Sequence, residues 1–152
     1  MSSPEGNAQA TILLVEDERA LRSFVRSQLT KEDYTVITAV DGMDALEQAE
    51  KNNGSIDLLL SDVEMPRMTG VELATQFFQI SPNTRILLMS GMPSGMLVLN
   101  ERWQFLPKPF LADMLKAKIR HILKKTPEFP AGSGKEPGNR SRPPLPGVGE
   151  QK

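Results

Sequence analysis

At 152 residues with 39% apolar content, the chain is sized for one folded unit with a real core. Its 18 basic and 19 acidic residues leave a formal charge of -1, so no overall field recruits nucleic acid or an anionic membrane surface. The absence of cysteine excludes a disulfide framework, a thiolate metal site and a thiol nucleophile together, and fits a reducing compartment, with the cytoplasm as the expected location.

Residues 1–10, MSSPEGNAQA, are small and polar, with neither a basic n-region nor an apolar core, and are expected to be disordered. The first apolar run, 11-TILLV-15, reads as a buried strand and is followed by Glu16-Asp17. Leu21, Phe24, Val25 and Leu29 then recur at helical spacing and mark a core-facing stripe. A second strand at 34-YTVITA-39 leads to Asp41-Gly42 and a weaker stripe of Ala45, Leu46 and Ala49. The third strand, 57-DLLLS-61, is followed by Asp62, and Val71, Ala74, Phe77 and Phe78 form the next stripe before the stop at Ser81-Pro82.

The fourth strand, 85-RILLM-89, is followed by Ser90. Beyond it Pro93 and Gly95 precede only Met96, Leu97, Val98 and Leu99, so the fourth helical segment is expected to be short or irregular. The fifth strand, 103-WQFL-106, leads through one proline to Lys108, and Leu111, Met114, Leu115, Ile119 and Ile122 complete the last stripe. His121 lies off that stripe, and Lys116, Lys118, Arg120, Lys124 and Lys125 are read as solvating the outer face and complementing the helix dipole. Residues 126–152 hold six prolines and five glycines, and a disordered tail is expected there. No apolar run approaches membrane-spanning length, so no membrane insertion is expected.

Short apolar strands joined by amphipathic helices imply an α/β domain over residues 11–125, with a doubly wound parallel sheet covered on both faces. Ligands of such sheets bind outside the carboxyl ends of the strands. Here those ends supply Glu16, Asp17, Asp62, Ser90 and Lys108. Singly, Asp17 reads as a helix cap and Asp62 as a turn former. Together, three carboxylates in one cleft repel unless a cation neutralises them. Hard oxygen ligands without histidine or cysteine suit Mg²⁺, which leaves positions for phosphate oxygens. A carboxylate screened in this way can become an aspartyl phosphate.

These residues reach a known family: VEDE, SDVEMPRMTG, MSGM and FLPKPF, in that order at strand ends, resemble the receiver domain of two-component response regulators. The resemblance implies a flavodoxin-like, five-stranded sheet of order 2-1-3-4-5. It makes Asp62 the phosphoacceptor, Asp17 a direct Mg²⁺ ligand, Glu16 an acid acting through a metal-bound water, and the Glu64 backbone carbonyl a further ligand. Lys108 would pair with the phosphoryl oxygens, Ser90 would hydrogen-bond one of them, and Phe105 takes the switch aromatic position. Lys108-Pro109 would be a cis peptide. Glu64 and Met92 would flank the path of attacking water and modulate dephosphorylation. The implied partners are a sensor histidine kinase or histidine phosphotransfer protein and a downstream protein, with no direct nucleic acid contact.

Three features depart from the common pattern. Glu16 stands where aspartate is more usual, Ser90 replaces a threonine with the hydroxyl kept, and the interval from Ser90 to Lys108 is short, as in receivers attached to hybrid kinases. Three other readings compete. A haloacid-dehalogenase-type phosphohydrolase places its nucleophile after the first strand, whereas Asp62 follows the third. A dinucleotide-binding domain needs a glycine-rich loop that the first turn lacks. A receiver fold used only as an interaction module has no need of Asp17, Asp62, Ser90 and Lys108 together. The expectation is therefore a signalling switch, not a turnover enzyme.

Overall fold

The computed structural model describes residues 10–53, 55–91 and 103–124. The elements run β1 (Thr11–Val15), α1 (Arg19–Thr30), β2 (Thr35–Ala39), α2 (Gly42–Lys51), β3 (Leu58–Asp62), α3 (Gly70–Ile80), β4 (Arg85–Ser90), β5 (Trp103–Pro107) and α4 (Ala112–Lys124). All neighbouring strands pair in parallel, in the order β2-β1-β3-β4-β5. The expected short helical segment at 93–99, the residue Met92, residues 1–9 and the expected tail at 126–152 lie outside the described residues, whereas Ala10, expected in the disordered N-terminus, accepts the Thr35 N–H at 3.0 Å.

Alternation along each strand divides the core in two. Leu13, Val15, Leu59, Ile86 and Leu88 point to one face and pack with Ala45, Ala49, Leu73, Ala74 and Phe77 from α2 and α3. Ile12, Leu14, Leu58, Leu60, Leu87 and Met89 point to the other and meet Val25, Leu29, Leu115, Ile119 and Ile122 from α1 and α4. Continuous apolar runs such as LLL in β3 are thus required by burial on both faces, not by a single hydrophobic side.

Four residues assigned to core-facing stripes are corrected here. Phe24, Phe78, Met114 and Leu111 are 43%, 42%, 47% and 70% exposed. Phe24, Phe78 and Met114 each sit next in sequence to a stripe residue, about 100° round the helix from it, at the margin of the arc the sheet covers. Leu111 precedes the first turn of α4 and is carried outward by the connection from β5. The basic residues of α4 also do more than solvate a face: Lys116 and Arg120 reach Glu32, just beyond α1, at 3.7 and 3.4 Å.

The local starts of α2 and α3 follow from side-chain caps. Asp41 accepts the Asp44 N–H, and Thr69 with Glu72 forms a reciprocal capping box. Asp17, in contrast, does not cap α1; the N-cap is Glu18, without a side-chain hydrogen bond.

Candidate functional site

The sheet order sets β1 between β2 and β3, so the chain reverses its direction of winding beside β1 and opens a crevice at the carboxyl ends of β1 and β3. Glu16 and Asp17 follow β1 directly, and Asp62 ends β3. Carboxylate oxygens of Glu16, Asp17 and Asp62 all lie within 4.8 Å of one another. Asp62 is 3% exposed and Glu16 1%, whereas Asp17 is open to solvent.

Lys108, carried past the end of β5, turns its ammonium back into this crevice. Its Nζ lies 2.8 Å from Asp62 Oδ1 and 3.6 Å from Glu16 Oε1. The Lys108–Pro109 bond is cis. The Lys108 backbone N–H donates to the Ser90 carbonyl at 2.8 Å, which ties the end of β5 to the end of β4. Phe105 in β5 is partly buried against the core shared with α2 and α3.

The extra methylene of Glu16 is absorbed by its own loop. Its Oε2 accepts the Glu18 backbone N–H at 2.9 Å, and Arg22 donates to the Glu16 carbonyl at 2.8 Å. Oε1 is thereby left facing Asp62 and Lys108. Glu16 Oε1 and Asp62 Oδ1 are fully buried, with the Lys108 ammonium 3.6 and 2.8 Å away. Two such oxygens beside a third carboxylate, with no nitrogen or sulfur ligand in the set, fit a hard divalent cation such as Mg²⁺.

The electrostatics follow from burial. Desolvation raises the Asp62 and Glu16 carboxyls above their ordinary range, with contact to Lys108 pulling Asp62 down and the Glu18 N–H pulling Glu16 down. For Lys108, burial acts to lower the ammonium, but the hydrogen bond and charge of Asp62, with Glu16 and Glu64, outweigh it and hold it above the usual lysine range. Between about pH 4 and the raised values, the folded chain therefore binds more protons than the unfolded one, so metal-free stability falls as pH rises. Lys108 adds no slope there, because its contribution is lost only above the ordinary lysine range. Urea unfolding at about pH 5 and about pH 7.5 should show a stability that falls over the interval, and falls less in Mg²⁺. A metal-free stability that rises over this interval would contradict the assignment of these shifts.

Between Asp62 and α3 the loop is braced at several points. Val63 N–H donates to Met89 O and Gly70 N–H to Val63 O, both at 2.9 Å. Arg67, at φ 70°, places its guanidinium 2.9 Å from Asp41, the cap of α2. Hydrogen bonding from Asp44 N–H and then from Arg67 holds the Asp41 carboxyl below its usual range. Ser90, 4% exposed, donates to Glu64 Oε2 at 2.9 Å.

All the strand-end residues expected from the sequence, Glu16, Asp17, Asp62, Ser90 and Lys108, thus meet at one edge, with Glu64 on its rim; Met92 lies outside the described residues. Sequence reasoning missed Arg22, Arg67 and the joining of Glu64 to Ser90. The Thr69-x-x-Glu72 pattern could have given the start of α3, but no local signal marks Arg67, whose left-handed backbone is more often supplied by glycine or asparagine.

Known proteins resemble this chain in sequence and fold. The sensor kinase CckA of Brucella abortus is 35% identical over 123 residues, 78% of this chain and 13% of CckA. The response regulator MprA of Mycobacterium leprae is 35% identical over 123 residues, 76% of this chain and 51% of MprA. The chain thus spans about half of one relative's length and far less of the other's. Among solved structures, the receiver domain of hybrid histidine kinase CckA has a TM-score of 0.66 and 37% identity, covering 75% of this chain and 99% of that one. TrrA from Thermotoga maritima, in complex with Mg(2+)-BeF, has a TM-score of 0.68 and 29% identity, covering 76% and 100%. The structure of histidine kinase ThkA in complex with TrrA matches at TM-score 0.67 and 28% identity, covering 76% and 99%. With the response regulator receiver domain model matching residues 12–120, from within β1 to within α4, the chain belongs to the receiver domain family of two-component systems.

Proposed function

We propose that this receiver accepts a phosphoryl group from the phosphohistidine of a sensor kinase or phosphotransfer protein onto Asp62. The observation that carries the reading is a carboxylate 3% exposed at a central strand end, 2.8 Å from an ammonium and grouped with two further acids. Neutral surroundings alone offer no reason to bury that combination, since unpaired acids cost stability. The complexes of TrrA with Mg(2+)-BeF and with ThkA support the same chemistry.

Asp17 and Asp62 would hold Mg²⁺ directly, with the Glu64 backbone carbonyl, and Glu16 through a water. Bound there, the cation offsets the charge of the acids and of the phosphoryl oxygens. An Asp62 oxygen then forms a bond to phosphorus as the P–N bond breaks. The electron pair returns to the donor's imidazole, which leaves neutral because its other nitrogen carries a proton. Lys108 contacts the transferred oxygens, Ser90 turns to donate to one of them, and Phe105 follows. In the reverse phase, water attacks phosphorus, the acyl O–P bond breaks, and Asp62 is regenerated with release of inorganic phosphate and a proton. Glu64 and Met92 modulate that step by flanking the approach of water.

The result is a switch that passes its state to a downstream protein, with no nucleic acid contact of its own. Among the described residues no helix is long and apolar enough to cross a membrane, which is compatible with action in the cytoplasm. Incubation with acetyl phosphate or beryllofluoride should give one adduct per chain in the presence of Mg²⁺ and none after chelation, read by mass spectrometry and by ¹⁹F NMR. A folded chain that forms no adduct would instead be a receiver-fold interaction module.

A further inference from the structure

Ser90 and Glu64 come from different strand ends. Ser90 ends β4, where its carbonyl accepts the Lys108 N–H at 2.8 Å and its backbone pairs with Pro107 of β5. Glu64 lies two residues beyond Asp62, on the loop leaving β3, and its side chain is exposed. The two are joined across the crevice because Asp62 pairs with Met89 and Val63 N–H donates to Met89 O at 2.9 Å, which keeps the loop beside the end of β4. Over this short span the Ser90 hydroxyl donates to Glu64 Oε2 at 2.9 Å.

We infer that the Glu64 side chain is a latch that holds the Ser90 hydroxyl in the resting receiver and must release it for the phosphorylated state to form. A serine hydroxyl has one proton to donate. It cannot give that proton to the Glu64 carboxylate and to a phosphoryl oxygen at once. The bond to Glu64 is charge-assisted, so it competes on equal chemical terms with the bond that replaces it. The switch therefore exchanges one anionic acceptor for another, and the carboxylate sets how far the equilibrium leans toward rest. In this role Glu64 is a positioning residue: it acts through Ser90 and does not touch the reacting phosphorus. The inference rests on the proposed function of Asp62 and adds to it a side-chain role for Glu64 in setting the resting state.

The test is beryllofluoride affinity at saturating Mg²⁺, with beryllofluoride standing in for the phosphoryl group. Removing Glu64 also removes a negative charge beside an anion site, so the single variant is not sufficient, and a double-mutant cycle separates the two effects. Glu64→Ala should tighten binding by about three- to tenfold when Ser90 is present. In the Ser90→Ala background the same substitution should change affinity by less than about twofold, because no hydroxyl is left to release. Ser90→Thr, which keeps a hydroxyl, should retain the full effect of Glu64→Ala. An equal gain in both backgrounds would assign the effect to charge alone and overturn the latch, as would no gain with Ser90 intact. Failure of every variant, and of the native chain, to bind beryllofluoride would instead overturn the assignment of Asp62, and the latch with it.

Discussion

Asp62→Asn is expected to abolish adduct formation with acetyl phosphate and beryllofluoride while raising metal-free stability by about 1 kcal/mol. The first effect is chemical, since an amide has neither the charge nor the nucleophilic oxygen needed to bond phosphorus. The second depends on which electrostatic effect wins. Breaking a buried ion pair usually leaves an uncompensated charge and destabilises. Here three carboxylates cluster while one ammonium touches two of them, and Lys108 keeps Glu16, at 3.6 Å, as a partner after Asp62 is neutralised. Removal of a carboxyl that burial already pushes upward therefore relieves repulsion without orphaning the lysine. Urea unfolding without metal reads the gain, and the stabilisation of the native chain by Mg²⁺ should largely disappear in the variant. An adduct that survives the substitution would mean that another residue is the acceptor.

Gly70→Ala is expected to destabilise the fold by about 3 kcal/mol and to slow phosphoryl acceptance at least tenfold, by roughly the cost of a small misplacement of the nucleophile. Gly70 opens α3, and a Cβ there would overlap the Asp62 carbonyl oxygen and lie 2.9 Å from Val63 Cα. Both obstacles are backbone, so no side chain can turn aside. Relief requires α3 to move away from the end of β3, which displaces Asp62, the proposed acceptor. Gly91→Ala is the control for stability, because a Cβ added there meets nothing within 4 Å. Denaturant unfolding and the rate of adduct formation together check the prediction. Native-like values for Gly70→Ala would show that the close approach of α3 to β3 is not needed.

Much of the fold was legible because burial on both faces leaves a strong mark. Runs such as 12-ILLV-15, 58-LLL-60 and 86-ILLM-89 have no polar alternation, and that requires helices above and below. The site was legible for a related reason: parallel strands deliver the residues after their carboxyl ends to one edge, so Glu16, Asp17, Asp62, Ser90 and Lys108 could be assembled from topology. What escaped depends on distances that periodicity does not encode. A helical stripe gives the direction of a face, not the width of the neighbour covering it, and so Phe24 and Met114 were placed inside. The contacts from Glu64 to Ser90 and from Arg67 to Asp41 depend on the path of one loop, including the left-handed Arg67, and nothing in the residue types announces that path.

The order of the sheet also divides the crevice mechanically. Asp62 ends β3, which has a partner strand on each side and is buried along its whole length. Lys108 follows β5, an outer strand with a single neighbour and only one fully buried residue. The negative half of the site is therefore carried partly by a strand held on both sides, and the positive half by a strand held on one. If Asp62 takes a phosphoryl group as proposed, the strain it introduces would pass through Lys108 to a strand with one free side, and the rim beyond β5 is where it would become a change of outline.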